Sequence, residues 1–597
     1  MCGIAGYYRN CEGDLNDSIL VRMTDSIAHR GPDGFGHWYS SNRHVGLGHR
    51  RLSIIDLTEN GAQPMSFLNK YVITFNGEIY NYIEIRSFLQ SKGYTFRSDS
   101  DTEVILSAFD YWGINCLNEF DGMFSFAIYN QETNELFCAR DRFGEKPFYF
   151  AFHEGNLIFA SEMKALWEYG LPKVKNESML HNYLAYDLVE NPNNQTETFY
   201  SNIFKLKSSH YFIYKGNQVI NQKKYWTLSI KDDSELSMIE VQNQFLELLE
   251  GSLKRRLRSD VQVGSSLSGG LDSSSIVALI SRNTESNHTF SARFENFKRD
   301  EGKFIDIVSK NYNTTHHNIF VNENELLNDL DKLIWHQEEP FQSGSIYAQY
   351  CVYKEARKNN ILVMLDGQGA DEFLGGYDKD FKFYLKEINY QNALKTTIIN
   401  RIKENHGLNI NLSKRDLLQL SYPQLYELLA KLKWNFNSSV PKGINSSFHH
   451  SKKSKVNPFK EFNSLKEMLS YEMTNQGLEK LLKFADRNSM ANSIEVRLPF
   501  LNHELVEFTL KQKSSLFLDN GWSKAILRNS MKEILPKEIV WRKDKIGFEA
   551  PHEKWTKQKE FIELCNESKL NLIKQQFVTE DYNNNWKSIL AAKFLAL

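Results

Sequence analysis

Between Val261 and Ile280 the chain passes from an apolar stretch ending at Leu267, through the turn SGGLDSS (Ser268 to Ser274), into a helix-like apolar run. Strand, glycine turn and helix in that order open an α/β nucleotide-binding domain. Gly269 and Gly270 let the backbone approach a phosphate closely, and the N–H groups of the following helix turn point at it. Ser268, Ser273 and Ser274 add hydroxyl donors around Leu271. Asp272 would repel a phosphate and makes sense instead as a ligand for Mg2+. The spacing is not the GxxxxGK[ST] pattern that supports transfer of a terminal phosphate. Ile361 to Leu365 (ILVML) reads as a second buried strand running into another Gly-rich turn.

The first ~200 residues follow a different pattern. YVITF (Tyr71 to Phe75) and GMFSFAIY (Gly122 to Tyr129) are short, apolar, and rich in aromatic and β-branched types, as buried strands are. Further strand-like runs follow at Leu136 to Ala139, Pro147 to Ala151 and Leu157 to Ala160. Many short strands close in sequence predict an antiparallel system in two packed layers. From Ser237 onward Phe245, Leu248, Leu249 and Leu253 recur at helical intervals. Residues from Phe381 to Lys480 read as helical, polar and irregular, with the Asn-, Ser- and Lys-rich stretch Asn435 to Val456 expected to be a mobile loop.

Composition removes several classes of function. A net charge of −2 gives no long-range attraction to nucleic acid or an anionic membrane. No apolar run approaches the ~20 residues needed to span a bilayer. The opening MCGIAGYYRN lacks the basic and apolar regions of a secretory signal, so a cytoplasmic location is expected. Six scattered cysteines without a CxxC pair predict neither a disulfide framework nor a structural zinc site.

Cys2 directly follows the initiator Met. Once Met1 is removed, an α-amine with a pKa of ~7.7–8.0 stands beside a thiol of ~8.5, so the chain terminus can serve as base in place of a histidine. Taken alone, a cysteine at this position is more often an accident. It does not stand alone: the chain also carries CGIAG, HRGPD (His29 to Asp33), RRLSI (Arg50 to Ile54), FNGEIYN (Phe75 to Asn81), SDTE (Ser100 to Glu103), ARDRFGEKPFYF (Ala139 to Phe150) and FASEMKAL (Phe159 to Leu166). In this order these segments resemble the glutaminase domain of class II glutamine amidotransferases.

The resemblance implies roles for particular residues. Cys2 attacks the glutamine amide, and Asn76 and the Gly77 N–H form the oxyanion hole. Arg51, which directly precedes LSI, holds the α-carboxylate in a bidentate fork, although Arg50 sits beside it. Asp101, with Glu78 close by, holds the α-ammonium. SGGLDSS in turn looks like the pyrophosphate loop of enzymes that split ATP between the α and β phosphates. LDGQGADEFLGGY (Leu365 to Tyr377), DRNSMANSIEVRLPFLNHELVEF (Asp486 to Phe508) and WRKDKIGFEAP (Trp541 to Pro551) resemble the synthetase domain of the glutamine-hydrolysing asparagine synthetases. That likeness makes Asp371 the second Mg2+ ligand beside Asp272, and sets Ala292, Asp366 and Gly367 against the nucleotide. Lys545 becomes the cation at the adenylated intermediate, with Lys543 as its rival.

The fold implied is an α+β N-terminal nucleophile hydrolase domain with two packed antiparallel sheets and flanking helices. It is followed by an α/β ATP-pyrophosphatase-like domain with a parallel sheet and extra C-terminal helices. The expected boundaries are 1–208 for the glutaminase, 209–240 for a connector and 241–597 for the synthetase. The implied reactants are glutamine, ATP with Mg2+, and a carboxylate acceptor, aspartate by default, with ammonia passing inside the protein and a homodimer as the family's common assembly. One residue departs from the short asparagine synthetases: Gln368 stands where they have a Glu placed to act on the incoming ammonia, and an amide cannot accept that proton at neutral pH. The same chemistry on another carboxylate, such as a sugar acid or a peptide, therefore stays open. A lactam-forming relative needs no ammonia source and so no Cys2 set. A catalytically silent binding protein needs neither site.

Overall fold

The computed structural model describes the chain apart from residues 1, 11–17, 231–233, 285, 389–391, 409–421, 423–424, 427, 430–431, 433–438, 453–461, 463, 544–549 and 584. The N-terminal part is built on twelve strands: β1 (Gly3–Tyr8), β2 (Gly34–Tyr39), β3 (Val45–Arg51), β4 (Met65–Phe67), β5 (Tyr71–Ile79), β6 (Gly122–Asn130), β7 (Glu135–Arg140), β8 (Tyr149–His153), β9 (Asn156–Ala160), β10 (Phe204–Lys205), β11 (His210–Lys215) and β12 (Gln218–Lys224). They form two six-stranded antiparallel sheets, ordered β10-β8-β9-β1-β3-β2 and β12-β11-β7-β6-β5-β4.

Strand alternation explains why the sheets stack. Val72, Ala127, Tyr129 and Cys138 from one sheet meet Ile4, Val45, Leu47, Leu157 and Phe159 from the other in a buried layer. The opposite faces of β5 and β6 present Ile73, Phe75, Phe124, Phe126 and Ile128 to Val104, Ile105 and Ala108 of helix α1 (Asp101–Trp112). On the far side Ala5 and Tyr7 pack against Leu20 and Met23 of the short helix Ser18–Asp25. The result is helix, sheet, sheet, helix, with period-2 patterning burying both faces of each sheet. The connector expected over 209–240 is corrected in part: β11 pairs with β7 and β12 with β11, so residues 210–224 complete the second sheet. Hydrophobic β11 residues Tyr211 and Phe212 bury themselves there.

The second part holds a five-stranded parallel sheet of β13 (Val263–Ser266), β14 (His288–Arg293), β15 (Thr315–Phe320), β16 (Val363–Leu365) and β17 (Glu495–Arg497), ordered β15-β14-β13-β16-β17. The chain builds outward from β13 in one direction, then returns to its other side with β16. The crevice between β13 and β16 is therefore the topological switch point, where loops leaving the carboxyl ends of adjacent strands diverge and ligands bind. Helix α2 (Met238–Arg256) begins with a full capping box, Ser237 with Glu240, and buries Phe245, Leu249 and Leu253. Helix α3 (Leu271–Ser281) follows β13, and the short α4 (Ala370–Leu374) follows β16.

Helices α5 (Leu478–Met490) and α6 (Ala525–Met531) complete the framework that the site uses. Ser446–Lys452, expected to be mobile loop, is helical with Phe448 and His449 buried; the rest of that expectation at 435–438 and 453–456 lies outside the described residues. Phe448 packs on Phe577, ring centroids 4.8 Å apart, which accounts for the order in a polar stretch.

The two parts meet through buried ions. Arg30 donates to both carboxylate oxygens of Asp486 on α5, at 2.9 and 3.0 Å, and to Glu162 at 2.8 Å. Arg487 donates to Glu338 at 2.7 Å and pairs with Glu162 at 3.0 Å. Arg140 donates to Glu479 at 2.6 Å. These charges are close to fully buried, so each depends on its partner.

Candidate active sites

The first site forms where β1, β3 and β5 end together. The backbone N–H of Cys2 donates to Asn76 Oδ1 at 3.1 Å, and the carbonyl of Cys2 accepts from Arg30 Nε at 3.1 Å. Asn76 is fully buried in β5, and its Nδ2 has no hydrogen-bond partner in the protein. A buried amide donor without an acceptor is costly unless a ligand supplies one. Gly77 has φ of +153°, and a Cβ there would overlap the carbonyl oxygen of Met123. Only glycine keeps this stretch of β5 against β6.

Burial lifts the Cys2 thiol above the ordinary thiol range, with a hydrogen bond from the Leu52 backbone N–H opposing it. Such a thiol needs a base. His49 is nearby, but burial depresses its imidazole to about 3, which makes it a poor proton acceptor in exchange for a thiol proton. Arg51 turns toward the site, donating to the carbonyls of Thr58 (2.7 Å) and Asp56, while Arg50 turns outward to Asp25 and lies over Phe35. The orientation favours Arg51 over its neighbour.

Glu78 and Asp101 are both buried. Asp101 Oδ2 accepts from the Ile79 N–H at 2.9 Å, and Ser100 caps α1 by accepting from the Thr102 N–H at 3.0 Å. Burial and the Asp101 charge push the Glu78 carboxyl well above its usual range. Burial likewise raises Asp101 to about 6, against the hydrogen bond from Ile79. Glu78 Oε1 has no partner. Two buried carboxyls with spare acceptor capacity suit a cationic ligand.

The second site is a cavity of about 280 Å3 at the β13/β16 switch point. Ser268, Gly270, Leu271, Asp272, Ser273, Ala292, Asp366, Gly367 and Asp371 line it. Gly270 caps α3 without a side-chain hydrogen bond, so the first N–H groups of that helix stay open to a ligand. Gly269 is absent from the lining: its φ is +72°, and a Cβ there would sit 2.7 Å from Phe304 Cβ, so it serves the turn. Ser274 is buried inside α3 and does not reach the cavity either. Ser268 and Ser273 bond each other at 3.0 Å through their hydroxyls.

Asp272 and Asp371 sit in the first turns of α3 and α4 and converge on one cation, the ammonium of Lys524, 2.6 Å from Asp371 Oδ1. Burial works against that charge, yet Asp272 and Asp371 hold it above the usual lysine range. Lys524 precedes α6 with φ of +52° and is almost fully buried. No sequence motif marks it, nor Arg528 and Arg542, which also line the cavity. Nothing in SKAILR separates Lys524 from a solvated lysine. Arg542 donates to Glu301 at 2.7 Å and to the Gly269 carbonyl at 3.2 Å, bracing the turn. Lys545 lies outside the described residues, and Lys543 is turned to the Glu404 carbonyl at 3.1 Å. Gln368 lines the cavity with its Oε1 buried and unpartnered.

Two family models account for most of the chain: the glutamine amidotransferase domain over residues 1–226 and asparagine synthase over residues 244–590. Similar proteins include asparagine synthetase [glutamine-hydrolyzing] 1 of Bacillus subtilis, 31% identical over 605 residues, covering 98% of this chain and 92% of that one. Asparagine synthetase [glutamine-hydrolyzing] 3 of the same organism is 28% identical over 580 residues, covering 93% and 88%. Amidase chry2 of Gibberella zeae is 26% identical over 612 residues, covering 93% and 90%. A glutaminase fold followed by a parallel-sheet synthetase defines the class: a glutamine-hydrolysing carbon–nitrogen ligase. The chain belongs to the glutamine-hydrolysing asparagine synthetase family. No helix among the described residues is long and apolar enough to cross a membrane.

Proposed function

We propose that the protein is a glutamine-dependent asparagine synthetase, converting ATP, aspartate, glutamine and water to AMP, pyrophosphate, asparagine and glutamate. The observation that carries this reading is the presence in one chain of Cys2 beside the unfilled Asn76 donor and of Asp272 facing Asp371 across the switch-point cavity.

In the glutaminase half, the α-amine of Cys2, freed by removal of Met1, takes the thiol proton and the sulfur attacks the glutamine amide carbon. Asn76 Nδ2 and the Gly77 N–H stabilise the oxyanion. The C–N bond breaks, ammonia leaves with the proton, and water cleaves the thioester to glutamate. Arg51 would take the α-carboxylate of glutamine, and Asp101 with Glu78 its α-ammonium. In the synthetase half, an aspartate carboxylate oxygen attacks the α-phosphorus of ATP, and pyrophosphate leaves. Ser268, Ser273 and the open N–H groups of α3 cradle the phosphates, with Gly270, Leu271, Ala292, Asp366 and Gly367 shaping the nucleotide's bed. Ammonia, kept from bulk water inside the protein, then attacks the acyl carbon and displaces AMP.

The carboxylate pair fits Mg2+, which takes hard oxygen ligands and one or two carboxylates alongside phosphates. Asp272 and Asp371 would hold the ion, and it would neutralise charge on the departing pyrophosphate. Lys545 remains the proposed cation at the adenylate, and a cytoplasmic homodimer the proposed state.

The second reading, the same chemistry on another carboxylate, draws support from Gln368, whose unpartnered Oε1 lines the cavity and accepts no proton. Replacing Cys2 with Ala tests the division of labour. Glutamate release from glutamine is expected to disappear while ammonium salts still support amide formation. Loss of both together would contradict two separable sites.

A further inference from the structure

The glutamine pocket described above is walled on one side by the other half of the chain. Strand β17 lies next to β16 in the synthetase sheet, with Leu365 opposite Arg497. From there its side chains reach into the glutaminase half. The guanidinium of Arg497 is completely buried and stands 3.6 Å from Glu78 Oε2.

Its orientation is fixed from three directions. Nε donates to Glu495 at 2.6 Å, and Nη1 donates to the carbonyls of Arg256 (2.8 Å) and Arg258 (2.5 Å). Nη2 makes no hydrogen bond and is the edge turned to Glu78. The Arg497 carbonyl accepts from the Asp366 N–H at 3.1 Å, so the same residue is tied to the rim of the ATP cavity. A cation held this firmly against a buried carboxylate, with one edge unused, sets where that carboxylate sits.

We propose that Arg497 is a positioning residue for glutamine: from the synthetase sheet it orients Glu78 so that Glu78 Oε1 and Asp101 together receive the glutamine ammonium. This rests on the glutaminase reading given above. Arg497 itself touches neither the thiol nor the amide, so its effect falls on glutamine binding rather than on the chemistry at Cys2. The glutamine site is then a composite of both halves.

The test uses the full-length protein and three variants, Arg497→Met, Arg497→Lys and Glu495→Gln, with glutamate release measured against glutamine concentration. For Arg497→Met the KM for glutamine is expected to rise about tenfold with kcat within about threefold, the pattern of lost ground-state binding. Arg497→Lys keeps the charge and is expected to recover most of that loss. Glu495→Gln preserves side-chain volume and weakens one restraint on the guanidinium by removing its charge; it is expected to raise KM about threefold, and it reports even where the Met variant does not fold. The gain in Tm on adding ATP with Mg2+ is expected to match the wild type in every folded variant.

An unmoved glutamine KM in Arg497→Met and Glu495→Gln overturns the proposal. So does a fall in kcat and in the ATP-induced Tm gain that tracks the loss of glutamine use, since that pattern marks a scaffold role. A wild-type protein that releases no glutamate from glutamine would instead refute the glutaminase reading and take this proposal with it.

Discussion

Lys524 Nζ lies 2.6 Å from Asp371 Oδ1 and donates as well to Asp272, so one buried ammonium holds together two carboxylates from the first turns of separate helices. Removing it leaves two anions facing each other at the end of the parallel sheet. Lys524→Met is expected to lower pyrophosphate release at least about 100-fold while glutaminase activity stays within about twofold. Its Tm is expected to fall and to recover as millimolar Mg2+ takes the place of the ammonium between the carboxylates. A variant whose Tm ignores Mg2+ would count against Asp272 and Asp371 as a metal-binding pair.

Asn76 Nδ2 is the unfilled donor of the thiol site. Asn76→Ala is expected to cut kcat for glutamate release by about 10²–10³, the cost of one oxyanion donor, with little change when ammonia replaces glutamine. Steady-state kinetics with each nitrogen source checks both parts. An equal loss with ammonia would show that Asn76 serves the fold rather than the oxyanion.

The Glu78–Asp101 pair makes glutamine use sensitive to acid. Burial raises Asp101 to about 6, and burial together with the Asp101 charge pushes Glu78 above its usual range, so Asp101 carries negative charge in the empty site at neutral pH. Below about pH 6 that charge is lost, and kcat/KM for glutamine is expected to fall about tenfold per pH unit, with ammonia-supported synthesis unaffected by this step. The stability effect runs the other way. A folded-state carboxyl raised above its unfolded value binds the proton more tightly when folded, so this group costs stability above about pH 6 and the cost is relieved as pH falls toward ~4. Asp101→Asn is expected to remove the acid limb and most of the glutamine affinity.

Arg30 joins Asp486 through two hydrogen bonds and also holds the carbonyl of Cys2. Asp486→Ala leaves a fully buried guanidinium short of a partner and is expected to cost about 3–5 kcal/mol of stability. Glutaminase and synthetase activities are expected to decline together, because the bond spans both halves. Chemical denaturation and the two assays measure this directly; a loss confined to one activity would show that the pair is local to that site.

Much of this was legible in sequence because its signals are local. Aromatic and β-branched runs such as GMFSFAIY carry the period of a buried strand, and SGGLDSS carries the turn and helix start within seven residues. Asn76, Gly77, Glu78 and Asp101 were reachable through motifs that fold into one strand and one helix start. Lys524 and Arg497 carry no local signal of a role, because what distinguishes them is burial against Asp272 and Glu78, hundreds of positions away. Ser446–Lys452 reads as mobile loop because its polar composition hides Phe448, whose partner Phe577 lies far along the chain. Residues 210–224 read as connector because the exposed strand β12 is polar and shows no apolar alternation.

The most direct test is pyrophosphate release by the purified protein with ATP, Mg2+ and glutamine, with and without aspartate. The account predicts aspartate-dependent pyrophosphate, with asparagine, AMP and glutamate formed in step. Glutamate release without any aspartate-stimulated pyrophosphate would contradict aspartate as the acceptor and move the reaction to another carboxylate in the cavity lined by Gln368.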